Sequence, residues 1–504
     1  MFINRISPHE IVKHRIEAEY YSPEKMAQLI GLRNLSAKWK SLDDLCEFIT
    51  DGTHQTPNYT ALGVPFLSST NIGESQIDFE KTKFVSETAF VELKRTKCSP
   101  IPGDILISKN GKVGTASVYR EGYPAVGLFV SVALLRYQAQ LDSDFVCAFL
   151  NSNGGQWQFK RAAKTGVITN LHLEEIREVE IPILDESVQK YIGDKVRQAE
   201  SLRAWAKRLE AQFQGKLATS YPEAFENKRT GRKYSKAPVD DISYTLNPGA
   251  FDEERLRIRL YLKNLGAEKL REIATIEGPT SSSYLPDSKY IGLDAISSNS
   301  CALSPSTVGE SEVTGTSRLL SEGPVVAKLR PYLNKVSYIP KWLSGAVGST
   351  ELLCVKATDV TNNWYLYGVL KSDITLLQLK PVASGSTHPR IDQYDLYDVV
   401  VPIHQDHELM GSWLEDAQCA YFAASQLVQT SKTLVEALIE GLLTEQQLIQ
   451  AQQALEDGDN SLDQAILSKL SSEGYGIEGA TPLFNDIDEL YRLLESATQA
   501  EAEE

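Results

Sequence analysis

"GDILISKNGKVG" at residues 103–114 and "GPVVAKLRPYLNKV" at residues 323–336 are two versions of one pattern, and their agreement decides the fold. Each opens on glycine, runs through a short apolar stretch of buried-strand type and leads into a basic turn. A second pair lies at the same offset: "TGVITNLHLEEIREVEIPI" from Thr165 and "SGSTHPRIDQYDLYDVVVPI" from Ser384, with Pro182 and Pro402 220 residues apart. "GVPFLSSTNI" from Gly63 has a looser partner in "SKYIGLDAIS" from Ser288. A period of this length is too long for a solenoid unit and suits two copies of a domain.

A long helical segment follows each copy. In the second, Met410, Trp413, Ala417, Ala420, Ala424, Leu427, Ser431, Leu434 and Leu438 alternate spacings of three and four. That is a 3.5-residue seam of coiled-coil type. In the first, Val188, Ile192, Val196, Ala199, Leu202, Ala206, Leu209 and Phe213 follow a less regular version. Either helix alone reads as an amphipathic surface helix, but two in equivalent places favour pairing with each other.

The map that results is α+β. A helical lead-in and a first strand-rich domain occupy residues 1–185, with the domain proper at 41–183, and a first long helix spans 186–218. A charged linker at 219–245 leads to a second lead-in and strand-rich domain at 246–405, and a second long helix spans 406–443. An acidic helical tail covers 444–504, with helix starts expected at Thr444-x-x-Gln447 and Ser461-x-x-Gln464 and a third after Asn485.

At 504 residues the chain should hold two or three domains, and 42% hydrophobic with 23% charged residues is a soluble globular composition. The absence of a long apolar run and the charges of the N-terminus point to a cytoplasmic protein with no membrane partner. The six cysteines form no C-x-x-C pair, which argues against a zinc ribbon or a disulfide framework. Net charge is −16, but from Gly441 onward 14 acidic residues face two basic ones, a net of −12. The remaining body is nearly neutral and can carry local basic patches.

Phosphate-loop, dinucleotide, nucleophile-elbow and H-E-x-x-H motifs are all missing. "LNPGAF" at 246–251 departs from the methyltransferase pattern of Asn-Pro-Pro-aromatic, and "DGDNSLDQAILS" from Asp457 lacks the glycine and glutamate of a calcium loop. What recurs is polar, basic and loop-borne. "DGTHQTPNY" at 51–59 offers His54 and Thr56, and the next stretch offers Ser69 and Asn71. Lys109 and Lys112 flank Gly111, while Lys328, Arg330, Tyr332 and Lys335 occupy the matching turn. Lys160, Arg161 and Lys164 precede the Thr165 segment, and Thr387, His388 and Arg390 stand in its second copy. Lys and Arg contact phosphates or guanine, and Ser, Thr, Asn and His can read base edges. A solvated charged face would use the same residue types.

In "RIEAEYYSPE", "DGTHQTPNY…GVPFLSSTNI", "GDILISKNGKVGTASVY" and "KLRPYLNKV" followed by "GSTHPRIDQYDLYDVVVPI", the chain resembles the specificity (S) subunit, HsdS, of type I restriction-modification systems. The resemblance covers about residues 10–443, is weaker in the second domain and does not reach the tail. It implies two target-recognition domains in tandem pseudo-twofold repeat, each reading one half of a split site in double-stranded DNA. The domains would be separated and joined by two long antiparallel coiled-coil helices, through Ile192, Val196, Leu202, Leu209, Trp413, Leu427, Leu434 and Leu438. It further implies no catalysis and no cofactor in this chain. Two methyltransferase (M) subunits would bring S-adenosylmethionine, and motor-nuclease (R) subunits would bring ATP and Mg2+. A helical spacer of about 28 residues at ~1.5 Å each is roughly 42 Å, which suits half-sites about one DNA turn apart. A different class fits part of the same pattern: a non-catalytic interaction protein whose helices and acidic tail bind a partner, the tail mimicking nucleic-acid charge. A fused methyltransferase or nuclease would need motifs the chain lacks.

Overall fold

The apolar run Ile105, Leu106 and Ile107 has no solvent exposure, and it forms an inner strand of the sheet that organises the first half of the chain. A computed structural model describes residues 11, 18–80, 82–137, 141–163, 170–226 and 245–503. These fall into two compact units, one containing the described residues up to Ser201 with Ala424–Leu494, the other containing Leu202–Ala423 with the described residues from Glu495.

In the first unit, strands Cys46–Asp51, Val132–Tyr137, Ile105–Ser108 and Ala116–Val118 pair in that order, all antiparallel. A second sheet runs Gly127–Leu128, Val64–Leu67, Lys83–Val85, Tyr59–Thr60, and its first pair is parallel. Leu67, Leu106, Leu128, Val132 and Leu134 form one buried cluster; Val64, Phe66, Val85 and Leu93 form another. Helix Ser143–Asn151 is started by Asp142, whose carboxylate accepts from the backbone of Asp144 and Phe145. Lys38–Ser41 pairs with Glu180–Ile183 and ties the two ends of the domain together.

The second unit repeats this plan. Ala274–Glu277, Leu352–Ala357, Gly323–Ala327 and Val336–Ile339 pair in the same order, again antiparallel. Lys289–Ile291 pairs parallel with Val347–Gly348, as Val64–Leu67 does with Gly127–Leu128. Asn362 caps Asn363–Lys371 in the place of Asp142, and Glu268–Lys269 closes on Val400–Val401. The repeat is not uniform: among the described residues the second sheet has five strands here and four in the first unit.

The long helices are Glu186–Ser220, 35 residues, and His407–Ile439, 33 residues. Every seam residue is buried except Trp413, which is half-buried. Within the second unit the Tyr421 hydroxyl donates to Glu210 at 3.0 Å and Lys216 pairs with Asp406 at 3.2 Å. As one helix number rises the other falls, so the helices run antiparallel there. The second helix stops before residue 443 because Gly441 takes φ 72° and the N–H groups of Leu442 and Leu443 return to the Ala437 carbonyl at 2.9 and 3.1 Å. That is a glycine-dependent helix end.

The tail starts as its capping box requires, with Thr444 and Gln447 capping reciprocally the helix Glu445–Glu456. Ser461 is a correction: it lies inside the helix Ser461–Leu467 and its N–H donates to Asp459 at 2.9 Å. In the first unit this helix buries Asp463 against Lys195 Nζ at 2.7 Å and the Tyr191 hydroxyl at 2.5 Å, with the Tyr491 hydroxyl also donating. Burial opposes ionisation of Asp463, but Lys195 and the hydroxyls outweigh it and hold the carboxyl below its ordinary range. Among the described residues no helix is long and apolar enough to cross a membrane.

Candidate nucleic-acid interface

The "DGTHQTPNY" loop leaves its strand at Asp51 and is held by backbone before any side chain is considered. Gly52 N–H donates to Val132 O at 3.1 Å, Thr53 N–H to Leu128 O at 2.9 Å, and Val130 N–H to Thr53 O at 3.0 Å. A Cβ on Gly52 would sit 2.2 Å from the Leu128 carbonyl, so only glycine lets the strands approach this closely. Asp51 pairs with the Nζ of Lys109, and its other oxygen lies 3.4 Å from His54 Nε2. His54 is 76% exposed at its side chain, and Thr56 is exposed beside it.

Three of the remaining first-domain candidates, Lys109, Asn71 and Arg161, are corrections, because their side-chain polar atoms are engaged internally. Lys109 is buried and spent on Asp51. Asn71 is buried: its Oδ1 accepts from Ser68 N–H at 2.9 Å and its amide donates to Asp78 O at 3.0 Å. Arg161 stacks its guanidinium 3.9 Å over the Tyr20 ring and donates to Tyr20 O. Ser69 is half-buried, its N–H donating to the Ser131 hydroxyl at 3.0 Å. Lys112 is exposed but pairs with Glu74 at 2.8 Å, and Glu74 also accepts from Lys432 on the second long helix at 2.8 Å. Burial opposes the Glu74 charge, and the two lysines outweigh it and lower its pKa. Lys160 is exposed on the helix Asn153–Ala162, and Lys164 lies outside the described residues.

In the second domain two stretches far apart in sequence become backbone neighbours. Ser384 and Arg390 exchange hydrogen bonds at 2.9 and 2.8 Å, closing the loop that exposes Thr387 and His388. Arg330 N–H donates to Pro389 O at 2.7 Å and Ile391 N–H to Lys328 O at 3.0 Å. Lys328, Arg330, Thr387, His388 and Arg390 are thereby gathered at one edge, with Tyr332 46% exposed on the adjoining turn. Arg390 meets the Glu351 carboxylate at 3.1 to 3.2 Å. Lys335 is a correction, since its Nζ donates inward to Ile296 O.

Sequence reading missed Asp51 as the partner of Lys109, and it missed two cation and aromatic pairs whose lysines are exposed. Lys83 Nζ lies 4.3 Å over the exposed Tyr59 ring, and Lys97 Nζ lies 4.7 Å over Phe48. Lys97 adjoins Cys98, whose thiol contacts Asp51 O at 3.6 Å, so both pairs border the His54 loop. No local signal marks them, because strand register creates the contacts. The first-domain loop can therefore present hydroxyl, imidazole, ammonium and aromatic groups to a polyanion, while the second domain presents mainly guanidinium and ammonium groups.

No protein-family model matches the chain, and no curated protein is significantly similar to it. Among solved structures, the type I restriction-modification S subunit from M. genitalium is similar at 13% identity and TM-score 0.39, over 81% of this chain and 97% of that one. The HsdS subunit from Thermoanaerobacter tengcongensis is similar at 13% identity and TM-score 0.25, over 81% and 97%. A chain of a type I R-M system, in a structure concerned with complex assembly and conformational transition, is similar at 12% identity and TM-score 0.27, over 81% and 98%. TM-scores this low carry no residue correspondence.

Proposed function

We propose that this chain is the DNA-specificity subunit of a type I restriction-modification complex, each strand-rich domain reading one half of a bipartite site. One observation carries the reading. The chain contains the same domain twice, down to backbone hydrogen bonds, and each copy holds polar and basic loops at the edge of its four-stranded sheet. Two similar domains with different loop chemistry suit two different half-sites. The paired helices would dock methyltransferase subunits, which bring S-adenosylmethionine, and motor-nuclease subunits would bring ATP and Mg2+. This chain contributes recognition and no catalytic step, and the complex works on DNA in the cytoplasm.

The site itself is a hydrogen-bonding and electrostatic reader. His54 and Thr56 in one domain, and Thr387 and His388 in the other, are exposed on loops pinned by backbone bonds. Preorganised loops of this kind lose little backbone freedom on binding. Methylation of a random-sequence DNA library by the assembled complex, followed by sequencing, tests the proposal: one motif in two separated halves is expected, and a single continuous motif would sink it.

A further inference from the structure

Lys109 and Lys328 occupy the same position in the two domains. Lys109 N–H donates to Ser131 O and Lys328 N–H to Glu351 O, both at 2.8 Å, while their carbonyls accept from Leu171 and Ile391, both at 3.0 Å. The strand that faces them differs. Leu135 is registered with Ile49 in the first domain and Val355 with Ile276 in the second, which places Gly278 where the first domain has Asp51.

That difference changes what the lysine can do. The Lys109 side chain is 8% exposed and neutralised by Asp51, so it serves as an internal strut. Lys328 is half-buried, and among the described residues its ammonium has no hydrogen-bond or ion-pair partner. Its backbone N–H donates to Glu351 O at 2.8 Å, and the next residue, Leu329, forms an isolated antiparallel bridge with Arg390. The Glu351 carboxylate accepts from Arg390 Nε and Nη2, and Ile391 N–H donates to Lys328 O at 3.0 Å, so Lys328 and Arg390 lie on adjacent backbone. Arg330, bonded through its N–H to Pro389 O, adds a third cation whose Nε is buried with no hydrogen-bond partner. Three cations against one carboxylate leave an uncompensated positive edge.

We propose that Lys328 and Arg390, with Arg330 beside them, form an anion site that takes a backbone phosphate of double-stranded DNA, and that among its described residues the first domain has no counterpart, because Asp51 neutralises its lysine. The proposal rests on the DNA-recognition reading above. Phosphate contacts set register and carry no base preference, so the second domain supplies a sequence-independent anchor at this position that the first lacks.

The test is a salt titration of the full-length chain on a mixed-sequence DNA duplex. Each phosphate contact contributes about 0.9 to the slope of log affinity against log salt. Lys328→Met and Arg390→Gln should each flatten the slope by about one while leaving the preferred half-site unchanged. Lys109→Met should lower thermal stability and leave the slope as in wild type. An unchanged slope in Lys328→Met, with wild type binding normally, overturns the phosphate site and leaves DNA recognition standing. A changed half-site preference overturns it as well, because the contact is then to a base edge. Failure of the wild-type chain to bind duplex at any salt overturns both readings.

Discussion

At the scale of single residues, Gly52 and Asp51 decide whether the 51–59 loop is held in place. A methyl group at position 52 would meet the Leu128 carbonyl at 2.2 Å, and backbone cannot give way as a flexible side chain can. Gly52→Ala is therefore expected to cost about 1–3 kcal/mol, the usual range for overpacking, and to lower the melting temperature; an unchanged melting temperature would show that the loop is not held as described. His54 behaves oppositely, being exposed, with Asp51 as its polar partner at 3.4 Å. His54→Ala should leave the melting temperature alone and alter either DNA affinity or the preferred half-site, and if it altered neither the loop would be structural only. The sequence marked this loop correctly as polar and bent, because turn chemistry is local. It could not show that Lys109 is spent, because Asp51 lies 58 positions away and only strand pairing brings the two together.

At the scale of elements, the long helices were legible because their apolar period is written in consecutive residues, and all but one of the seam positions are buried. What fastens other elements to them was not legible. The tail is attached to the first long helix through Asp463 and Lys195, which sit 268 residues apart and are almost fully buried. Removing one partner of such a pair leaves a buried charge. Asp463→Asn should accordingly destabilise tail docking by about 3–5 kcal/mol, seen as faster proteolysis between residues 444 and 494. Combining it with Lys195→Met should recover much of the loss, and equal sensitivity of single and double variants would argue against the pair. A second hidden fastening is Asp398, which meets Arg255 at 3.0 Å, Arg259 at 2.8 Å and Lys269 at 2.7 Å. Burial pushes its carboxyl up, but these cations outweigh burial and hold it at about 2. An unfolded aspartate titrates near ~3.9, so the cluster contributes about 2 kcal/mol above that pH, lost as pH falls toward 2. Melting curves should show Asp398→Asn less stable than wild type at pH 5, with the gap closing on acidification; a gap independent of pH would assign the loss to packing.

At the scale of the whole molecule, the duplication is the feature on which function turns, and it diverges unevenly. From strands Gly127–Leu128 and Val347–Gly348 onward the copies keep an offset of 220, as Gly127 and Val347 show, whereas Ile49 and Ile276 are 227 apart and Phe66 and Tyr290 are 224 apart. Three of the seven residues of difference therefore fall between Ile49 and Phe66, the segment that carries the 51–59 loop, and four between Phe66 and Gly127. The register of the four-stranded sheet and the segments leading into the long helices stay constant. A framework held fixed while its loops vary is what independent readers on one scaffold require. The ribbon that pairs Lys38–Ser41 with Glu180–Ile183 brings the two ends of the first domain together, so the chain enters and leaves a replacement domain side by side. Exchange of residues 41–183 for another recognition domain should consequently change one half of the methylated motif and leave the other half intact, as read by sequencing of methylated sites. If both halves changed, recognition would be a property of the joined molecule, and the two-reader account would have to be abandoned even with the fold unchanged.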